Sequence, residues 1–322
     1  MQALRQALVR STLFTLLASS GLLMPVAAGL AALALSSCAA TAPRRACALE
    51  DLVSAGEVAA LRECCGEDLV VFDVRERAEY DAGHLDGALA LPYAQWEQLS
   101  LSAESGLTHE QAWIERIGSL GVDSNDCVLV YDGGKMTQAA RVWFVLQHFG
   151  VENVAVIDGG HPALQRAAAE GKCALSTAST TRAPAKFTPG ARGAIGLIER
   201  EALKRSIERG EAQVLDVRTR AEFLGEDLRK NARGGHLPTA INLPHQQLLD
   251  ERGQLLPTHE LERLLREAGC ERGRPLVTHC DGGGRAALAA LAAARAGYGP
   301  VLNYYLSFGD WAKDSSCPVV KD

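Results

Sequence analysis

Two stretches decide how this 322-residue chain reads: "LVVFDVRERAEYDAGHLDGALALP", residues 69–92, and "AQVLDVRTRAEFLGEDLRKNARGGHLPTAINLP", residues 212–244. They repeat each other. Asp73-Val74-Arg75 matches Asp216-Val217-Arg218, Ala78-Glu79-Tyr80 matches Ala221-Glu222-Phe223, and Gly83-His84-Leu85 matches Gly235-His236-Leu237. Both copies then reach a Leu-Pro, at 91–92 and 243–244, and the second carries the insertion "GEDLRKNARG" before its histidine. A duplication of this length predicts two domains of one architecture, and the chain is long enough for both.

Outward from these stretches, strands and helices alternate. The valine-rich runs "LVVFDV", "QVLDV", "CVLVYD" (127–132) and "PLVTHC" (275–280) read as parallel strands buried on both faces. "TQAARVWFVLQHFG" (137–150) and "RAALAALAAARAG" (285–297) read as helices closed by Gly150 and Gly297. Such alternation implies an α/β fold in each copy, a parallel sheet flanked by helices. Residues 173–192 have the Ser, Thr, Ala, Pro and Gly content of a linker. The expected domains are therefore 50–172 and 193–322.

Composition removes some functions. The chain is 47% hydrophobic and 22% charged with a net charge of −6, so it buries a sizeable core and has no basic footprint for nucleic acid. Its start reads as a targeting segment: Arg5 and Arg10, an apolar run over 11–35, and no acidic residue before Glu50. Leu35-Ser36-Ser37-Cys38 resembles a bacterial lipobox, which implies a signal peptide over 1–37 and lipidation of Cys38. An uncleaved membrane anchor is the alternative, since the apolar run is long enough to span. Either way the domains are expected in the cell envelope, tethered to a membrane and facing the periplasm; Ala39 after Cys38 favours the outer membrane. Nine cysteines in an oxidising compartment allow one or more disulfides, but sequence does not assign the pairs. No cysteine spacing suggests a zinc site, and nothing calls for a cofactor.

The chemistry concentrates where the strand ending at His279-Cys280 meets the helix. Asp281, Gly282, Gly283 and Gly284 can curl their backbone N–H groups inward, since glycine tolerates the dihedrals such a cradle needs. Amides, helix N-terminus and Arg285 together favour a thiolate at Cys280 and stabilise whatever anion the sulfur becomes. The bland alternative is a buried structural cysteine before a tight turn; the order strand, Cys, glycines, Arg, helix speaks against it. From Cys280 to Arg285 the pattern is C-x-x-G-x-R. A cysteine phosphatase loop is one residue longer and would need arginine at Ala286, so phosphate or arsenate chemistry is disfavoured. In the first copy Asp132 occupies the position of Cys280.

These residues resemble the rhodanese sulfurtransferases over nearly all of the chain after the leader. "YDAGHLDGALAL" (80–91) is similar to the N-terminal signature of the family, with Asp86 where a proline is usual. "VAVIDGG" (154–160) and "HCDGGGR" (279–285) resemble its closing strand and active loop. Two tandem domains with the cysteine only in the second is the architecture of thiosulfate and 3-mercaptopyruvate sulfurtransferases. The resemblance implies that Cys280 takes a sulfane sulfur as a persulfide and passes it to cyanide or a thiol, a protein thiol included, with thiosulfate the foremost donor. It implies that Arg218 binds an anionic donor, that Arg285 binds substrate or braces the loop, and that the amides of 281–285 hold the persulfide. It also brings His161 to the interdomain cleft and makes Trp311, Tyr305 and Phe308 pocket walls or core, with Tyr305 read as core. Asp73, Asp216, His84 and His236 are read as structural. Asp281, directly after the nucleophile, opposes a dianionic donor. A non-catalytic persulfide carrier or redox binding module is the second hypothesis.

Overall fold

The computed structural model describes residues 48–104 and 106–321; the leader and Cys38 lie outside these residues. The first copy builds a five-stranded parallel sheet in the spatial order Leu52–Val53, Val154–Ile157, Cys127–Tyr131, Leu69–Asp73, Leu89–Ala90. The second builds its own, in the order Gly196–Leu197, Val301–Asn303, Leu276–His279, Gln213–Asp216, Ile241–Asn242. Position for position the two orders are the same. The central strands are buried on both faces, which is why their sequences are runs of valine and leucine rather than alternations.

Register makes the two loops equivalent. Asp73 pairs with Tyr131 and Asp216 pairs with His279. The residue after each strand, Asp132 or Cys280, therefore leaves its sheet at the same point. Each loop feeds a helix, Thr137–His148 or Gly284–Arg295, and both helices are buried along nearly their whole length. Gly150 and Gly297 follow these helices with φ of 83° and 74°, the conformation that ends a helix without a Cβ penalty.

These two helices pack against each other and join both sheets into one large apolar cluster. The alanines of Gly284–Arg295 permit a close approach. At the helix starts it is closest: a Cβ on Gly284 would stand 2.9 Å from the Thr137 carbonyl. The N-termini of the two helices, and the loops before them, thus face a common cleft.

Residues 173–192 do not hang free between the sheets. Leu175–Ser176 pairs antiparallel with His84–Leu85, Ala185 donates its N–H to the Gly118 carbonyl at 2.9 Å, and Phe187 is buried. The linker-like composition reports a lack of regular structure rather than a lack of packing. Cys64 is disulfide-bonded, whereas Cys65, Cys127, Cys173, Cys270, Cys280 and Cys317 remain thiols. No helix among the described residues is long and apolar enough to cross a membrane.

Candidate active site

Cys280 lies on the floor of a cavity of about 770 Å³ between the two copies. Its side chain is buried, and its Sγ accepts the N–H of Gly283 at 3.0 Å. Ser307 supports it from behind: Ser307 Oγ accepts the Cys280 N–H at 3.0 Å and stands 3.8 Å from Sγ. Ser307 is held with φ of 60°, an uncommon value for a non-glycine residue, and its hydroxyl is also within 2.9 Å of the Tyr304 carbonyl. Phe308 and Gly309 donate their N–H groups to the carbonyls of Cys280 and Asp281, each at 2.9 Å. The thiol is thus fixed by both the loop it begins and the chain turn at 304–309.

The glycines have separate jobs. Gly283 takes φ of 101° and lies so close to Tyr305 that a Cβ would fall 2.3 Å from its carbonyl oxygen. Gly284 is the contact with Thr137 across the copies. Gly282 faces the cavity, with only the Arg141 guanidinium within 4 Å of its Cβ position. Ala286 is fully buried, and its carbonyl accepts the Thr278 hydroxyl at 3.0 Å. The position where a phosphatase needs arginine faces the core.

Arg285 reaches the cavity but is engaged in a two-pronged ion pair with Glu222, at 2.7 and 2.8 Å. Burial pulls the Glu222 carboxyl up, yet Arg285 and the Thr219 N–H outweigh it and hold the group at about 2. Of the two roles open to Arg285, this geometry is that of the brace. Asp281 also has a partner, since Asn231 Nδ2 donates to its Oδ1 at 2.6 Å.

Three of the expected site residues do not line this cavity. Arg218 does not line the cavity. It turns back on Asp216, donates to the Gly235 carbonyl at 2.8 Å and lies 3.9 Å above the Phe308 ring, 2% exposed. Arg75 makes the same bonds to Asp73 and the Gly83 carbonyl in the copy that has no cysteine, so this arginine is a brace of the fold. His161 lines a different cavity, with Arg75, Glu79 and Gln165 on the first copy. Trp311 is core: it is fully buried with Leu203, Val214 and Tyr304, and its Nε1 donates to the Pro318 carbonyl. Tyr305 is core too, while His84 and His236 stack on Tyr80 and Phe223 at 3.7 Å, equivalent packing in both copies.

Asp132 sits where Cys280 would be. It is fully buried and accepts four backbone N–H groups: Gly134 and Met136 at 2.8 and 3.0 Å on one oxygen, Gln138 and Ala139 at 3.1 and 3.3 Å on the other. This is the helix-start anion site occupied by a built-in carboxylate.

Several cavity residues escaped the sequence reading. From the first copy come Tyr93, Glu97, Lys135 and Arg141; from the second, Arg229 and His245. Arg229 belongs to the insertion "GEDLRKNARG", which only the cysteine-bearing copy has. Burial, then Arg285, pushes His245 down to about 4, so it is neutral at ordinary pH. Arg141 had a visible signal: it is the one charge inside "AARVWFVLQ", a helix otherwise apolar enough to be buried. Other thiols differ from Cys280 in setting. Burial pushes Cys270 up to about 11, and burial with Cys65 beside it pushes Cys127 up to about 12, which leaves both inert. Among the described residues, no group of three or more His, Cys, Asp or Glu is placed to hold a metal.

A family model described as "Rhodanese-like domain" matches residues 54–167 and again 199–314. Among curated proteins, the chain is 28% identical over 259 residues to the mitochondrial thiosulfate/3-mercaptopyruvate sulfurtransferase 1 of Arabidopsis thaliana, covering 75% of this chain and 68% of that protein. It is 28% identical over 246 residues to the 3-mercaptopyruvate sulfurtransferase of Escherichia coli K12, covering 75% and 84%. Among solved structures it is similar to the anaerobic ergothioneine biosynthesis enzyme from Chlorobium limicola, with a TM-score of 0.73 and 20% identity over 84% of this chain and 70% of that one. At that identity the likeness concerns the fold.

Proposed function

Since the chain belongs to the family of rhodanese-like domains, we propose that it is a sulfurtransferase that carries a sulfane sulfur on Cys280. The observation that carries this reading is Cys280 Sγ at the base of the cleft, 3.0 Å from the Gly283 N–H and at the start of a buried helix. The sulfurtransferase relatives support the activity in general terms.

In the first half-reaction the Cys280 thiolate attacks the outer sulfur of the donor. With thiosulfate a Cys–S–S bond forms, the S–S bond of the donor breaks, and the electron pair leaves with sulfite. With 3-mercaptopyruvate the C–S bond breaks instead, and the thiol proton ends on the carbon of the pyruvate released. In the second half-reaction cyanide or a thiolate attacks the terminal sulfur and Cys280 returns as thiolate. This is covalent catalysis that divides one hard displacement into two. The loop amides and the helix start stabilise the negative charge in both states. We place thiosulfate first among donors on the likeness to the tandem sulfurtransferases, with Asp281, held by Asn231, as the carboxylate that a dianionic donor must tolerate. We also propose that Cys38 is lipidated and tethers the protein in the periplasm, on the strength of the lipobox-like "LSSC" and the leader before it.

Side-by-side turnover with thiosulfate and 3-mercaptopyruvate, using cyanide and a small thiol as acceptors, tests the reading. Turnover that disappears in Cys280→Ser supports it, and full turnover in that variant contradicts it. Release from membranes by Cys38→Ala tests the anchor, and unchanged membrane retention contradicts it.

A further inference from the structure

We propose that Arg141, which belongs to the copy without the cysteine, is the group that receives the anionic end of the sulfur donor. This rests on the sulfurtransferase reading above and says which residue recognises the donor. The chemistry recognised is a compact oxyanion next to the transferable sulfur, a sulfonate or a carboxylate.

Arg141 rises from the helix Thr137–His148 and is 2% exposed, yet it borders the same cavity as Cys280. Its guanidinium points at the active loop. It lies 3.3 Å from the Cβ position of Gly283, 3.6 Å from that of Gly284 and 3.7 Å from that of Gly282. A Cβ on Gly283 would press on it, while the Gly284 and Gly282 positions are at ordinary contact distance. Tyr305 and Tyr93 provide ring faces at 5.4 and 5.8 Å from its central carbon.

What it lacks is a full set of acceptors. One nitrogen, Nη1, donates to Glu97 at 2.6 Å, while Nε is buried without any hydrogen-bond partner. A guanidinium has five N–H donors, and a buried cation is stable only when paired and hydrogen-bonded. Glu97 is itself half-exposed at the rim, a partner that an incoming anion can displace or share. Of the other cavity arginines, Arg285 is paired through both Nη atoms with Glu222, and Arg229 is exposed to solvent and stands 4.0 Å from the same carboxylate. Arg141 is thus the buried, under-paired cation beside the loop, in a geometry that suits a planar or tetrahedral oxyanion in two-pronged fashion. Donor in place, thiolate attack on its outer sulfur proceeds while Arg141 holds the oxygens of the departing group.

Steady-state kinetics on the full chain test this with two opposed variants. Arg141→Lys keeps the charge and loses the fork. It should raise the donor KM by about tenfold or more with kcat little changed, the size expected from a lost charged hydrogen bond. Glu97→Gln removes the competing carboxylate from a half-exposed position and should lower the donor KM. Thiosulfate and 3-mercaptopyruvate arms show whether sulfonate or carboxylate is the ligand, since only the true donor class responds. Thiosulfate binding to Cys280→Ser by calorimetry reads the contact without chemistry and should be lost on adding Arg141→Lys. If parent protein turns over neither donor, the sulfurtransferase reading fails while the calorimetry still judges Arg141. If both variants keep the parent KM, or calorimetry finds thiosulfate bound equally with lysine at 141, the assignment is overturned.

Discussion

The Asp132 loop and the Cys280 loop leave the same place in two copies of one sheet and settle on opposite solutions. In the first copy a carboxylate folds into the helix start and takes four amides for itself. In the second, a thiol accepts the Gly283 N–H, and the loop before the helix is one residue shorter. The difference teaches what makes such a loop transfer sulfur. A helix start with inward amides binds an anion in either copy. It becomes a reaction site only where that anion is one that arrives and leaves. The copy with its own anion is left to supply structure and, in Arg141, a charge for its neighbour.

The strongest way to break this comparison is at the two acidic or nucleophilic positions. Cys280→Ser should lower turnover by about a thousandfold or more, as loss of a covalent nucleophile does. Placing cysteine in the longer loop, as Asp132→Cys in that background, should not restore it; recovered turnover in a standard assay would show that loop length and Arg285 are irrelevant. Next in size, Asp132→Ala leaves four backbone N–H groups, two of them on buried residues, without their acceptor. Urea titration should show a loss of about 3 kcal/mol, with activity per folded molecule retained. Unchanged stability would mean that the carboxylate is not what holds the silent loop.

Glycines sharpen the contrast further. Gly283→Ala forces a side chain into φ of 101° against the Tyr305 carbonyl, and should cost about 1–3 kcal/mol of stability together with turnover. Gly133→Ala in the silent loop meets nothing within 4 Å and should be neutral in both measurements. The smallest effect is on acid stability. Burial pushes His279 and His245 from an ordinary 6.5 down to about 4. Both stay neutral in the folded chain while the unfolded chain takes up protons, so their contribution is complete above pH 6.5 and falls away toward pH 4. Tyr131 stands at the His279 position in the first copy and brings no such dependence there. Denaturation followed across that range should show a shallower slope for His279→Gln than for the parent.

Much of this was visible before the structure. The repeated Asp-Val-Arg and Gly-His-Leu marked the duplication, alternation of valine runs and helices marked the parallel sheets, and Cys280 with its glycines marked the reacting group. What could not be read is side-chain direction. Arg218, two residues after Asp216 on an extended chain, looks free to reach a ligand, yet that spacing lets its guanidinium fold back onto the Asp216 carboxylate. His161 follows two glycines of positive φ, Gly159 and Gly160, and this backbone path turns it into the first copy's own cavity. Arg141 reaches the Cys280 cavity from the other copy, through the packing of the two central helices, and Arg229 and His245 reach it from distant segments of the same copy; no local pattern encodes either. Asn231 as partner of Asp281 is equally non-local.

The most direct test is the mass of the protein after brief exposure to thiosulfate and removal of the excess. The account predicts that the parent chain gains the mass of one sulfur atom, that peptide mapping places it on Cys280, that cyanide removes it with release of thiocyanate, and that Cys280→Ser gains none. A sulfur atom found on another cysteine, or an equal gain in Cys280→Ser, would contradict it.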